Sequence, residues 1–223
     1  MIRKWLEPKL VDHRFRAPRL WSNGVLRKIA PLLTGDVINV SAWKDGDKDG
    51  GVYRDYFTNA SSYSISNYGG YRGESEQDNY EIDLEGTLPE ELHGKFDVVY
   101  NHTTLEHVFD VFAAVRNLCD LSNDIVVVVV PAVQEEHASD SFSDYWRFAT
   151  NSMIELFRRN GFESVFMTSN HNAGTSVYHV CIATRNPSKW AGKFDHLAAK
   201  VNTGKNLFKH PIRRFLRRKF KLD

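Results

Sequence analysis

The sequence has few cysteines, no long hydrophobic run and almost no net charge. Its two cysteines, Cys119 and Cys181, stand among apolar residues, which argues against a disulfide framework and predicts buried thiols in a reducing compartment. The longest apolar run, residues 125–133, is far shorter than the roughly 20 residues that a membrane span needs. The first ten residues lack the apolar core of a signal peptide. A formal net charge of +1 gives no general attraction for nucleic acid. We therefore expect a soluble cytoplasmic protein without a nucleic-acid partner.

What remains is a globular composition, with 42% hydrophobic and 26% charged residues over 223 positions. Short apolar segments recur along the chain at intervals that suit strands joined by helices or loops. The segment 125–130 contains only β-branched residues, which is typical of a strand covered on both faces. Strands are predicted at residues 36–41, 63–66, 80–83, 96–100, 125–130, 162–168 and 176–184.

Two amphipathic helices are predicted between the later strands. Apolar side chains spaced three and four apart predict one helix from Leu105 to Leu121. Residues 151–160 predict another, with Thr150 as its N-cap and Gly161 as its C-terminal stop. Alternating strands and helices indicate an α/β fold with a Rossmann-like, doubly wound and mostly parallel seven-stranded sheet. The last two strands have no helix between them and therefore predict an antiparallel hairpin at the C-terminal end.

The two ends of the chain differ in character from its middle. Residues 1–34 predict a basic helical extension, broken into short pieces by Pro8, Pro18 and Pro31. Residues 35–190 form the predicted domain, and residues 191–223 a basic amphipathic tail. Within the tail, residues 206–221 place apolar side chains on one helical stripe and basic ones opposite. Such a segment can bind an anionic membrane, here the inner membrane face, or dock its apolar side on the domain or a partner.

Three stretches resemble the class I S-adenosylmethionine-dependent methyltransferases. The first is FDVVYNHTTLEHV at 96–108, similar to the FDVV and LEHV segments around the fourth strand of many small-molecule methyltransferases. The second is DYWRF at 144–148, followed by a helix and GFE at 161–163, similar to methyltransferases linked to glycan or cell-surface synthesis. The third is DLEGTLP at 83–89, similar to the stretch after the third strand. The similarity covers about residues 35–185.

The resemblance implies S-adenosylmethionine as cofactor and methyl transfer to a small-molecule or glycan-type acceptor. It places Asp83 and Leu84 near the adenine, and Asn101 and His102 at the cofactor edge of the sheet. His107, with His102, is a candidate general base for an acceptor hydroxyl, because the pKa of histidine ordinarily lies near neutrality. The alternative is that His107 has no catalytic role and only caps or packs against the start of a helix.

The loop after the fifth predicted strand also lies at the edge where open α/β sheets bind ligands. His137, Tyr145 and Arg147 are candidate acceptor-binding residues there. A tyrosine can stack on a sugar or ring, and an arginine can hold a carboxylate or phosphate. The alternative is that this segment anchors the next helix in the core.

The family's glycine-rich cofactor loop is missing. Its first strand normally ends in an acidic residue and a G-x-G turn, whereas this sequence has Asn39, Ser41 and Trp43 there. Ser66 or Asn67 stands where an acid would grip the ribose hydroxyls, and the amide of Asn67 lacks the strength of a carboxylate acceptor. Either Asn39, Ser41, Trp43 and Asn67 bind the cofactor in a variant way, or the domain is an inactive binding or scaffold module that has lost the cofactor.

The letters H-T-T-L-E-H at 102–107 also contain possible metal ligands. His102 and Glu106 are four residues apart, and the stretch is one residue too long for the H-x-x-E-H zinc pattern. The methyltransferase resemblance accounts for the same letters, so we expect no metal, with a metal hydrolase as a distant alternative.

Overall fold

The structure, a computed structural model, describes residues 2–69, 79–170 and 176–197. Its helices are α1 (Ile2–Ile29), α2 (Val111–Leu121), α3 (Thr150–Arg159) and α4 (Pro187–Trp190). Its strands are β1 (Gly35–Val40), β2 (Ala60–Asn67), β3 (Asn79–Glu81), β4 (Phe96–His102), β5 (Ser122–Val133), β6 (Glu163–Ser169) and β7 (Val177–Thr184). The basic tail segment 206–221 lies outside the described residues.

The seven strands form one sheet in the order β3-β2-β1-β4-β5-β7-β6. Strands β1 to β5 pair in parallel, while β7 runs antiparallel to both β5 and β6. The predicted Rossmann-like sheet with a C-terminal antiparallel hairpin is therefore confirmed. The strand order reverses between β1 and β4, and in sheets of this kind that point marks the ligand crevice at the carboxyl ends of the strands.

Strand β5 lies at the centre of the core, as its β-branched sequence predicts. Val126, Val128 and Val130 pack on the face covered by α2 and α3. Alternate residues of β5, such as Val127 and Val129, pack on the opposite face, which is covered by α1 and a group of aromatic side chains. A strand buried on both faces gains packing from every side chain, which explains the unbroken apolar run.

Three helix predictions are wrong in detail, and the first two concern α1 and α3. Pro8 and Pro18 do not divide the N-terminal segment, because α1 runs unbroken from Ile2 to Ile29; each proline removes one backbone donor without ending the helix. Thr150 is the first residue of α3, and the N-cap is Ala149, whose carbonyl accepts from the amides of Ser152 and Met153. The predicted stop is confirmed, since Gly161, which follows the C-cap residue Asn160, has a φ of +76°.

The predicted helix over 105–121 begins later than its apolar pattern suggested. Residues Leu105–His107 form a single 3-10 turn, and α2 starts at Val111 with Asp110 as its N-cap. The carbonyl of Glu106 accepts from the amide of Tyr145, at 2.7 Å, so it is not available to a helix. The sheet's ligand edge therefore carries an irregular segment where the pattern predicted a helix.

The connection from β1 to β2 also lacks an α-helix. Within its residues 41–59, all of which the structure describes, the helical content is the 3-10 turn Tyr53–Tyr56. A loop held by polar contacts therefore joins β1 to β2 in place of a crossover helix. No helix in the described part of the chain combines the length and apolar character needed to cross a membrane.

Candidate functional site

The candidate site lies where β1 and β4 are neighbours and their carboxyl ends face the same edge. The Asn101 side chain, fully buried, bridges the two strands, its Nδ2 donating to the Val40 carbonyl at 3.0 Å. Its Oδ1 atom is buried without a hydrogen-bond partner among the described residues. A buried carbonyl oxygen without a donor costs free energy, so this atom is a place where a ligand donor would be stabilising.

The loop after β1 keeps a glycine-like backbone without glycine. Ser41, Trp43 and Asp45 have φ values of +58°, +56° and +61°, in the left-handed region that glycine normally occupies. Such a conformation is costly for a tryptophan, so surrounding contacts must impose it.

Buried aspartates impose the shape of this loop. The Asp45 carboxylate accepts from Asn39 Nδ2 at 2.7 Å, from the Tyr63 hydroxyl at 2.7 Å and from the Arg54 amide at 2.8 Å. Burial nevertheless raises the pKa of Asp45, and these hydrogen bonds oppose that rise. Asn39, a predicted cofactor residue, is thus engaged in holding Asp45.

A second aspartate joins the loop to α1. The Asp47 carboxylate accepts from the Tyr56 hydroxyl at 2.6 Å and from the Gly51 amide at 2.9 Å. Its backbone carbonyl accepts from Asn23 Nδ2 of α1 at 2.7 Å. Although burial favours the neutral acid, these donors and Arg27 lower the pKa of Asp47 overall. The N-terminal helix therefore helps to position the first loop of the site.

Asn67 holds the same loop from the end of β2. Its Oδ1 accepts from the Trp43 amide at 2.7 Å, and its Nδ2 donates to the Trp43 carbonyl at 3.0 Å. This two-bond clamp uses the amide's matched donor and acceptor, which a carboxylate does not have. The Ser41 amide donates to Ser66 Oγ at 3.3 Å. The structure thus brings Ser41, Trp43 and Asn67 together, with Asn67 bonded to the loop.

The segment after β3 begins beside the end of β2, where the Ile82 amide donates to the Asn67 carbonyl at 3.1 Å. Asp83 is exposed, and its Oδ1 accepts from the Glu85 amide at 2.9 Å, while Leu84 is buried. Asn117 of α2 fixes the segment by donating to the carbonyls of Leu84 and Gly86, at 2.9 and 2.8 Å. Asp83 is consequently a carboxylate on a rigidly held turn, open to a ligand.

His102, the last residue of β4, points away from Asn101 and lies against α1. Its Nε2 is 3.1 Å from Ser22 Oγ, and its Nδ1 is 3.0 Å from Thr103 Oγ1. Ser22 already donates to the Arg19 carbonyl, so Nε2 carries the imidazole proton and Nδ1 accepts from Thr103. Burial and the charge of Arg19 lower the pKa of His102 well below its usual value. Both ring nitrogens are bonded, and the neutral ring joins α1 to the sheet.

The structure brings two of the predicted residues, His107 and His137, together with Glu106. Ligand atoms of these three side chains lie within 4.8 Å of one another. The His107 and His137 rings are in edge-to-face contact with centroids 4.9 Å apart, and His107 Nε2 is 3.8 Å from Glu106 Oε1. Within H-T-T-L-E-H the sequence indicates Glu106 only as a possible metal ligand, through its position beside His107.

Glu106 is an unusual member of this cluster. Its side chain is fully buried, and both carboxyl oxygens are without a hydrogen-bond partner among the described residues. Burial raises the pKa of Glu106 to about 8. Burial therefore favours the protonated, uncharged form of Glu106 at neutral pH.

Hydrogen bonds fix the orientation of both histidines. His107 Nδ1 is 2.7 Å from the Ser143 carbonyl, which can only accept, so Nδ1 carries the proton. His137 Nδ1 is 2.9 Å from Asp144 Oδ2. Hydrogen bonds from Arg147 and His137 outweigh burial and hold the pKa of Asp144 at about 2. Asp144 is thus an anion that accepts from His137, while burial lowers the pKa of His107.

Arg147 organises the loop after β5. Its two Nη atoms donate to the two Asp144 oxygens at 2.6 and 2.7 Å. The remaining donors reach the carbonyls of Gln134, Glu135 and Trp146. All five N–H donors of the guanidinium therefore have acceptors within the loop. A substrate anion at Arg147 would have to replace one of these bonds.

Aromatic side chains surround the Glu106 cluster. Tyr145, a predicted acceptor residue, is 48% exposed and stacks edge-to-face with Phe109 at 5.3 Å between centroids. Phe142 packs against His107 at 4.6 Å. The three rings of Phe109, Phe142 and Tyr145 form what we call the aromatic rim, whose members are all partly exposed.

No protein-family model and no curated protein matches the sequence. Solved structures, in contrast, match the fold of this chain. The 1,6-didemethyltoxoflavin-N1-methyltransferase of Burkholderia thailandensis, with bound S-adenosylhomocysteine, is 14% identical, with a TM-score of 0.54 over 80% of this chain and 86% of that chain. Magnesium protoporphyrin IX methyltransferase of Synechocystis PCC 6803, with bound S-adenosylmethionine, is 14% identical, with a TM-score of 0.53 over 78% and 83%. The [4+2]-cyclase SpnF is 12% identical, with a TM-score of 0.53 over 73% and 78%.

The chain therefore has the fold of the class I S-adenosylmethionine-dependent methyltransferases. Because none of these identities exceeds 14%, the likeness establishes the fold, and the chemistry has to be argued from this chain's own residues.

Proposed function

We propose that the protein transfers a methyl group from S-adenosylmethionine to a small-molecule or glycan-type acceptor. The observation that carries the proposal is the buried, unpartnered Asn101 Oδ1 atom, which lies where the strand order reverses. Two structures of the same fold contain S-adenosylmethionine or its demethylated product. The fold and this orphaned atom together support a ligand at the β1–β4 edge.

The cofactor would be held by three parts of this edge. The left-handed backbone at Ser41 and Trp43 would follow the methionine part, as a glycine turn does. Asn101 Oδ1 would accept from its ammonium group, and Asp83, with Leu84 beneath it, would orient the adenine through its amino group. Asn39 and Asn67 would act indirectly, because their amides hold the loop.

The cofactor supplies an electrophilic methyl group, so the protein's main tasks are to align an acceptor and accept a proton. His107 suits the second task. Its Nδ1 proton is fixed on the Ser143 carbonyl, which leaves Nε2 as the basic atom, and burial lowers its pKa so that the ring is neutral at pH 7. His102 would contribute by fixing α1 and β4, since both its ring nitrogens are bonded.

The acceptor would bind against the aromatic rim. Tyr145 and Phe109 offer flat apolar surfaces to a sugar or ring, and His137 contacts Phe142 of the same rim at 6.0 Å between ring centroids. Arg147 would shape this pocket through its bonds to Asp144. A glycan acceptor accords with the resemblance of residues 144–163 to methyltransferases of surface synthesis, so we propose a role in cell-surface polysaccharide synthesis.

A cofactor-free binding or scaffold module is the second candidate. The observation in its favour is the Asn67–Trp43 clamp, which occupies the position from which the family grips the ribose. Trp43 also brings a large side chain, 59% exposed, to a place where the family has glycine.

Thermal unfolding with S-adenosylhomocysteine separates the two candidates. We expect millimolar ligand to raise the unfolding temperature of the wild type and to do so less in Asp83→Ala. Glu90→Ala, which removes another exposed carboxylate on the following turn, is the matched control and should respond as the wild type does. An equal response in Asp83→Ala would show that the adenine does not bind there.

A further inference from the structure

Glu106, His107 and His137 form a cluster that the proposed cofactor site does not use. It lies at the carboxyl ends of β4 and β5, inside the aromatic rim. Each side chain offers a ligand atom, and these atoms lie within 4.8 Å of one another. We propose that Glu106, His107 and His137 bind a divalent transition-metal ion, with open coordination positions facing the aromatic rim.

The first support is the burial of Glu106. Its side chain is fully buried, and neither carboxyl oxygen has a hydrogen-bond partner in the described part of the chain. A buried carboxyl group without partners is costly. A cation bound at these oxygens would satisfy them.

The second support is the orientation of the two histidines. His107 donates Nδ1–H to the Ser143 carbonyl, and His137 Nδ1 bonds the Asp144 carboxylate. Metal-binding histidines characteristically donate their second ring nitrogen to a carbonyl or carboxylate, which fixes the tautomer and the ring plane. Nε2 of each ring is then the metal-binding atom.

The third support is the rigidity of the surrounding shell. Asp144 is itself held by Arg147 with two bonds, at 2.6 and 2.7 Å, and has almost no exposed surface. The Glu106 carbonyl accepts from the Tyr145 amide at 2.7 Å, which joins the two ligand-bearing segments. His107 Nε2 and Glu106 Oε1 are 3.8 Å apart, whereas two donors that share a zinc ion at about 2.0–2.1 Å lie roughly 3.3 Å apart. The Glu106 carboxyl group, which has no hydrogen-bond partner among the described residues, would move toward His107 on binding.

The ligand set indicates the class of metal. Two imidazoles and one carboxylate suit Zn²⁺, Mn²⁺ or Fe²⁺ better than Mg²⁺ or Ca²⁺, which prefer oxygen ligands. Three protein ligands leave positions open for a further oxygen ligand. Resting on the proposed function, that ligand is the acceptor hydroxyl.

With a metal ion bound, His107 Nε2 would be a ligand and could not accept a proton. The ion would then activate the acceptor in place of His107. The ion would lower the pKa of a hydroxyl group bound to it, and the hydroxyl would release its proton to water. Its oxygen would then bond to the methyl carbon that the cofactor supplies, while the carbon–sulfur bond breaks and its electron pair stays on sulfur.

Zinc titration of the chelator-treated, full-length protein tests the site. We expect one Zn²⁺ bound per chain, and Co²⁺ in its place should give visible absorption bands of nitrogen and oxygen ligation. Glu106→Gln, a variant of the same shape, should weaken Zn²⁺ binding at least about 100-fold, and Asp144→Asn about 10–100-fold. His93→Ala, which removes an exposed histidine outside the cluster, should bind as the wild type does.

Three results would overturn the metal site: no binding at millimolar Zn²⁺, undiminished binding by a folded Glu106→Gln, or equal loss in His93→Ala. Circular dichroism in chelator establishes that each variant is folded. S-adenosylhomocysteine is titrated separately with and without Zn²⁺, so failure of the metal site is distinguishable from failure of the proposed function.

Discussion

At the scale of single residues, Glu106 makes the free energy of unfolding depend on pH. Burial raises its pKa from 4.5 to about 8 in the folded chain. A carboxyl group with a raised folded pKa contributes stability that is fully present below pH 4.5 and is lost as the pH rises through 8. In metal-free protein, Glu106→Gln should therefore exceed the wild type in stability at pH 9, by about 2 kcal/mol or more.

Urea unfolding at several pH values in chelator measures this difference. Glu90→Gln changes an exposed carboxylate and serves as the control, with the same pH dependence as the wild type. A wild type and Glu106→Gln of equal stability at pH 9 would show that Glu106 is ionised at little cost.

Arg147 permits a second prediction at this scale. Lysine keeps the charge but lacks the planar fork that bonds both oxygens of Asp144. Arg147→Lys should lower the free energy of unfolding by about 1–3 kcal/mol. Arg158→Lys is the matched control, because its partner Glu155 is exposed and such pairs contribute about 0–1 kcal/mol. Denaturant unfolding at pH 7 compares them, and equal losses would contradict the role given to the Arg147–Asp144 pair.

At the scale of elements, the loop after β1 depends on Asn67. Asn67→Asp restores the acid found in related folds but removes the donor to the Trp43 carbonyl and places a charge against it. We expect a loss of about 1–3 kcal/mol in the free energy of unfolding. Asn59→Asp makes the same change at an exposed bond to the Pro31 carbonyl and should cost less than about 0.5 kcal/mol. A neutral effect of Asn67→Asp would mean that the clamp does not hold the loop.

Strands were more predictable than helices because their signal is local. The β-branched run of β5 and the missing helix between β6 and β7 sufficed to predict the sheet and its hairpin. The segment after β4 could not be predicted in the same way. Its apolar spacing continues that of α2, which predicts a longer helix. The amides of Tyr145 and Trp146, nearly forty positions away, instead donate hydrogen bonds to the Glu106 carbonyl.

The site was only partly predictable for the same reason. His107 and His137 were chosen separately for their positions after strands, while their contact with each other and with Glu106 depends on folding. Asn39 and Asn67 were recognised as departures from the family pattern, but their bonding to Asp45 and Trp43 depends on contacts that the sequence does not encode locally.

At the scale of the whole molecule, the tail 206–221, outside the described residues, permits a prediction about membranes. Its basic residues and apolar stripe should bind vesicles containing an anionic lipid, each basic residue contributing about 1 kcal/mol near the surface. The full chain should sediment with such vesicles, less so at high salt, and a chain ending at residue 205 should not. If neither sediments, the proposed contact with the inner membrane face is wrong.

The whole fold positions one ligand edge from several directions. Helix α1 contacts His102 of β4 and Asp47 of the β1 loop. Asn67 of β2 holds the β1 loop, and Arg147 holds the loop after β5. The proposed cofactor region lies at the ends of β1 and β4, and the Glu106 cluster lies at the ends of β4 and β5. If the proposed function is correct, this arrangement would give the methyl donor and the acceptor neighbouring places.

Calorimetric titration of the full-length wild type with S-adenosylhomocysteine tests the central claim most directly. We predict saturable binding of one ligand per chain, with a dissociation constant below about 1 mM, the range in which cofactor recognition at such a site is measurable. No heat of binding at millimolar ligand would contradict the claim and leave the cofactor-free module as the function of this fold.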